Sequence, residues 1–216
     1  MSSPLFKRLP HPDQRLDLQL APRALGRAPS LPAALPSGRL IELISERGPS
    51  SGSSVAAFAL REAQREGSLV AWIEYEEGTL FPPDLAAAGL DLGSLLIVRT
   101  PTTGGAIAIA KAAEILLRTG AFGALALDLS ALKRPRGEAF LARLAALARE
   151  HSARVLILRS SRAESSLGAS IALRLDAQRV RIARGRFRIE MSALKNKIGQ
   201  PPPRIFRTFG APEGIR

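Results

Sequence analysis

GRLIELISERGPSSGSSVAAFALREAQREGSLVAWIEYE, residues 38–76, is the stretch whose reading decides the fold. It opens on an apolar run, LIELI (Leu40–Ile44), and closes on a second, SLVAWIEYE. Runs this apolar are those of strands buried on both faces, as in a parallel sheet. Between them the spacing predicts a helix over Val55–Glu66. The corner ERGPSSGSS sits where a phosphate-cradling loop, G-x-x-x-x-G-K-[ST], would join strand to helix. Gly52 and Ser54 fit that pattern, but Ser53 stands where the lysine belongs. Gly48 and Gly52 are four apart where the pattern needs five, so the backbone N–H groups would not converge on a phosphate in the usual way. Ser54 also reads as the N-cap of the helix.

Working outward, strand and helix patterns keep alternating, which predicts a largely parallel sheet covered by helices. A Pro-containing turn and short helix (FPPDLAAAG) are followed by strands at Leu95–Arg99, FGALALDLS and RVLILRS, with helices at Gly105–Thr119 and Gly137–Glu150. The fourth strand ends at Asp128. Residues 1–37 carry seven prolines and read as an extended arm with one short strand or turn at Leu16–Leu20. The core is expected over 38–200. Residues 201–216 read as a Pro-rich basic tail, mobile or docked on a partner.

Toward the end the period changes to two. Ile171–Leu175, Gln178–Ala183 and Phe187–Ser192 read as antiparallel strands, the last two joined at Gly185. Val180, Ile182, Phe187, Ile189 and Met191 are expected on one face, with Arg179, Arg181 and Arg188 on a wet, arginine-rich opposite face. The charge follows the same division. Residues 1–132 hold 12 Lys/Arg against 13 Asp/Glu, and residues 133–216 hold 19 against 6. Arg179, Arg181, Arg184, Arg186, Arg188, Lys195 and Lys197 are therefore the candidate polyanion-binding set.

Composition removes several classes of chemistry. With no cysteine and two histidines, His11 and His151, neither a thiolate nor a histidine-based metal site is expected, nor a catalytic triad. No apolar run reaches 18 residues, so no membrane span is expected, and the N-terminus lacks the apolar core of a signal peptide. A cytoplasmic location is the default expectation.

The order of these elements resembles the RecA recombinase ATPase core. The likeness rests on GRLIELI and its Ser/Gly corner, VAWIEYEEG, GLDLGSLLIVRTPTTGG, RTGAFGALALDLSAL and SALKNKIGQP, and covers roughly residues 36–200. The resemblance implies a lysine on the nucleotide phosphates, where Ser53 stands, and a carboxylate at Asp128. It also implies a glutamate directly after a P-x-T-G turn, read as the general base, where this chain has Gly105 after Pro101–Gly104. An Asn-Gln pair of the family falls on Arg159 and Ser160. The two loops with which the family grips single-stranded DNA correspond to the short segments Lys133–Gly137 and Arg162–Gly168.

These departures resemble the ImuA group, RecA-like accessory proteins of bacterial damage-induced mutagenesis and translesion synthesis under the SOS response. That resemblance implies a non-catalytic protein without a cofactor. It implies partners in an ImuB-type polymerase-like hub, RecA itself and an error-prone polymerase, and leaves self-association open. Leu5, Phe6 and Leu9 in the arm and Ile205, Phe206 and Phe209 in the tail are the candidate partner-binding anchors. Three alternatives stay open: a SulA-like cell-division inhibitor, a sequence-independent DNA-binding protein, and a residual NTPase holding Mg²⁺ weakly through Glu74, Glu76 and Glu77 near Asp128.

Overall fold

The computed structural model describes residues 35–45, 50–78, 80–132, 138–159, 165–199 and the backbone of 205–210. The arm through residue 34, with Leu5, Phe6, Leu9 and the expected element at Leu16–Leu20, lies outside the described residues. So do Gly48, Ser160 and residues 133–137.

Among the described residues eight strands make one sheet: β1 (Arg39–Ile44), β2 (Leu69–Tyr75), β3 (Leu95–Thr100), β4 (Phe122–Asp128), β5 (Arg154–Arg159), β6 (Ile171–Ala183), β7 (Arg186–Asn196) and β8 (Ile205–Gly210). Their order is β3-β2-β4-β5-β1-β6-β7-β8. The first six strands in that order are parallel, and β7 and β8 add antiparallel at one side. This is the expected α/β core, mostly parallel with a C-terminal antiparallel hairpin.

Helices α1 (Ser50–Arg65), α2 (Pro82–Ala87), α3 (Gly105–Arg118) and α4 (Glu138–Glu150) cover the two faces. Val55, Ala56, Ala59, Leu60 and Ala63 recur at helical spacing, and α1 buries that stripe against Ile41, Leu43, Trp72, Ala124, Leu156 and Leu158. On the opposite face α3 buries Ala106, Ile109, Ala110, Ala113 and Leu117, and α4 buries Phe140, Leu141, Leu144 and Ala148, over Leu40, Ile73, Leu125, Leu127, Val155 and Ile157. Because β1, β2, β4 and β5 are covered on both sides, they are apolar at nearly every position. That is the signal visible in their sequences. Gly67, at φ +82°, turns the chain out of α1 into β2 in the left-handed region that favours glycine.

Three segments differ from expectation. Helix α1 begins at Ser50 rather than Val55. β6 is one continuous strand of 13 residues rather than two short ones. Residues 205–210, expected in the tail, form β8 on the outer edge of β7. At the other end, Leu35 is buried in the core beneath α1, so the expected arm ends inside the domain.

The connection from β1 through α1 leads over β5 and β4 to β2, while the connection from β5 leads the other way to β6. In open α/β sheets the crevice outside the carboxyl ends of the strands, where the winding reverses, is the place for a ligand. Here the carboxyl ends of β1, β4 and β5 frame it.

Candidate functional site at the carboxyl edge

At the β1–α1 corner, residues 50–54 lie within the first turn and a half of α1. Ser54 is therefore inside the helix and not its N-cap. Gly52 is buried, and a Cβ built there would lie 3.4 Å from Leu158 Cδ2 and 3.8 Å from Leu43 Cβ. This close packing seats the helix start directly on β1 and β5. Ser53 and Ser54 are half-buried on the same turn. Asp128, at the end of β4, uses Oδ1 to accept a hydrogen bond from the Ser130 N–H at 2.8 Å, closing a local turn.

The strongest charge arrangement of the edge lies one layer inward. Glu42, in mid-β1, is 0% exposed. Its Oε1 is 2.5 Å from Nη1 of Arg159 at the end of β5, and its Oε2 is 3.5 Å from Nε of Arg174 on β6. The Leu167 N–H donates to Oε2 at 3.4 Å, and Arg159 also reaches the Ser165 carbonyl. Both arginines are buried. Lys195 stands opposite Arg174 on β7 and donates through Nζ to the Gly168 carbonyl at 2.8 Å. Burial first, then the charges of Lys197 and Arg174, hold its pKa below the ordinary lysine value, against the opposing pull of Glu42. Arg159 thus points into a buried ion cluster, and the cluster fastens the β5–β6 connection to the sheet. Glu42 and Arg174 were not singled out in the sequence. The available signal was a single charge inside each of two otherwise apolar runs, LIELI and IALRL.

The carboxylates after β2 do not gather. Glu74 is 1% exposed and pairs with Arg99 Nε at 3.2 Å while accepting from the Leu80 N–H. Glu76 and Glu77 are exposed in the following turn, and Glu77 accepts from the Thr102 hydroxyl. Among the described residues no three acidic or histidine side chains come together around a metal-sized space. Tyr75 is buried, and burial followed by the nearby Asp128 charge raises its pKa. Gly105 has φ 53° and ψ −160°, a backbone conformation open essentially to glycine alone.

The basic set divides differently from expectation. Arg179 is in register opposite Ile189, Arg181 opposite Phe187, and Val180 opposite Arg188. Directly opposed residues share a face. Arg179 and Arg181 therefore lie with Phe187, Ile189 and Met191 on the α1 side, while Arg186 and Arg188 lie with Val180 on the other. The single arginine-rich face does not form, because the register across the Gly185 turn sets the apolar positions of β7 opposite the arginines of β6. Arg179 stacks over the Phe187 ring at 5.3 Å, and Arg188 pairs with Glu190 at 2.5 Å. Lys195 and Lys197 bond to the carbonyls of residues 168 and 169. Ile205, Phe206 and Phe209 fall within β8.

A doubly wound parallel sheet with this strand order, a Ser/Gly helix start after β1 and an antiparallel extension defines an α/β protein with a RecA-like core. Comparison with known proteins agrees. The chain is 36% identical over 111 residues to Protein RecA of Nostoc punctiforme, half of this chain and 29% of that protein. It is 37% identical over 106 residues to Protein RecA of Saccharopolyspora erythraea, and 34% identical over 105 residues to that of Corynebacterium jeikeium, each match covering 48% of this chain. The chain spans less than a third of the length of these relatives. No protein-family model matches it. These likenesses support a RecA-like family for the chain. No helix among the described residues is long and apolar enough to cross a membrane.

Proposed function

We propose that the protein is a non-catalytic RecA-like accessory factor of the ImuA type. It acts in damage-induced mutagenesis by binding an ImuB-type hub, RecA or an error-prone polymerase in the cytoplasm. One observation carries this reading: the carboxyl edge has no cation aimed at a phosphate among its described residues. Ser53 replaces the phosphate-gripping lysine, its segment is helical from Ser50, and Arg159 is committed to Glu42. Phosphoryl transfer depends on positioning and charge neutralisation, and the described residues of this edge supply little of either. Function then moves to the surfaces, where the arm and β8, the outermost strand in the sheet order, are the candidate partner sites.

Purified protein is expected to turn over no ATP above a buffer blank, with or without DNA, and the Ser53→Lys variant is expected to stay inactive. DNA-stimulated hydrolysis by the unmodified protein sinks the non-catalytic reading. Removing residues 1–34 and replacing Phe206 and Phe209 with serine is expected to weaken co-purification with the polymerase-like hub or RecA. Undiminished capture by that variant rejects these surfaces.

A further inference from the structure

The distal part of β6 and β7 is an unusual object. Pairing of β6 with β1 ends at Asp176, so residues 177–183 run past the parallel sheet for about 20 Å at the usual rise per strand residue. The ten residues from Arg179 to Arg188 hold five arginines and no acid. Glu190 neutralises Arg188. Arg179, Arg181, Arg184 and Arg186 are all exposed, and none makes an ion pair among the described residues. They are distributed around the slab, with Arg179 and Arg181 on one face, Arg186 on the other and Arg184 in the turn. A flat anionic surface would meet one face and leave the rest in water.

We propose that this tip enters the major groove of double-stranded DNA, with its two faces against the two phosphate walls. The dimensions agree. One sheet layer with its side chains is about 10 Å thick, and the major groove is about 12 Å wide and about 8.5 Å deep. The turn and the last two or three residues of each strand fit within that depth, and Arg179, held upright on Phe187, meets the phosphates at the rim. β8 runs alongside β7 as far as Arg186 opposite Gly210, so it widens the slab along the groove and not across it. The contacts are to phosphates, so the binding is independent of base sequence. This inference stands apart from the accessory-factor reading, which concerns protein partners.

The test is fluorescence anisotropy of the full chain with a labelled 25-base-pair duplex from 50 to 200 mM salt. Four phosphate contacts give a log–log salt slope of about −3.6, or about a 150-fold loss of affinity over that range. R179A/R181A and R184A/R186A are each expected to reduce the slope by about 1.8, and replacing all four by lysine is expected to keep it. All four side chains are exposed, so circular dichroism and melting should match the unmodified protein; if an alanine pair fails this check, the glutamine pair replaces it. Absent duplex binding overturns the proposal. So does a slope that depends on one arginine pair only, or equal affinity for the single strand of the same sequence or for polyglutamate.

Discussion

β5 carries an arginine at each end, and the two serve opposite purposes. Arg154, at the amino end, bonds through Nε to the Leu35 carbonyl and through both terminal nitrogens to Glu66 at 2.8 and 3.1 Å. Glu66 is 51% exposed, so this pair is wet and ties residue 35 and the end of α1 to the sheet. Arg159, at the carboxyl end, meets a carboxylate with no exposure at all. A charge at the end where a parallel sheet receives ligands is the charge a ligand would need. Here it is turned inward, toward Glu42 of β1 and the Ser165 carbonyl. One pair fastens the surface, whereas the other is buried within the sheet.

The largest expected effect separates these two pairs. Removing one partner of a buried ion pair leaves an uncompensated charge and costs about 3–5 kcal/mol. E42Q strands Arg159 and Arg174 together, so it should lose at least about 3 kcal/mol in chemical denaturation. The triple change Glu42→Leu, Arg159→Met and Arg174→Met should recover most of that, since well-packed apolar replacements of buried ion triads are often neutral or stabilising. If E42Q unfolds no more easily than E66Q, the buried cluster is not the stronger of the two ties.

A middle effect concerns Gly105, at the same edge. Restoring the glutamate of the family pattern by G105E forces a side chain into φ 53°, ψ −160°. Such strain costs about 1–3 kcal/mol. Apart from its chain neighbours and its own helix backbone, no atom among the described residues lies within 4 Å of the added Cβ, so the loss is one of backbone conformation and not of overlap. The variant should melt earlier and hydrolyse no ATP. A variant as stable as the parent shows that the turn after Pro101 can relax, and an active one shows that the edge can still bind nucleotide.

Much of this fold was legible in the chain, because strands buried on both faces announce themselves as apolar runs. The buried ion cluster at the carboxyl edge was not. Glu42 lies 117 positions from Arg159, and only the strand order brings β5 and β6 to either side of β1. Residues 50–54 have the composition of a loop, yet they join α1 because Gly52 lets the helix rest on Leu43 and Leu158. The hairpin was legible as a hairpin, but its faces were not. Alternation within one strand gives the period, and the partner's register decides which residues share a side. Asp176 and Ala177 looked like a break between two strands, whereas the pairing with β7 runs through them.

The smallest expected effect tests the wet end of β5 by pH. Hydrogen bonding from Arg154 holds the Glu66 pKa below 4.5, with burial opposing it and the Arg154 charge adding to the lowering. A carboxyl whose pKa is lower when folded contributes stability that is fully present above its unfolded value. That contribution fades as pH falls through the folded value. Stability referable to Glu66 should therefore be constant from pH 7 down to about 5 and decline below pH 4.5. Because Glu66 is half exposed, water screens the pair, and the whole contribution should stay below about 1 kcal/mol. Urea denaturation of the parent and E66Q across pH 7 to 3 reads this as two curves that run parallel above pH 5 and converge below 4.5. A gap that persists unchanged at pH 3 means that Glu66 acts through packing along Arg154 and not through its charge. The contrast between the two ends of β5 would then rest on burial alone.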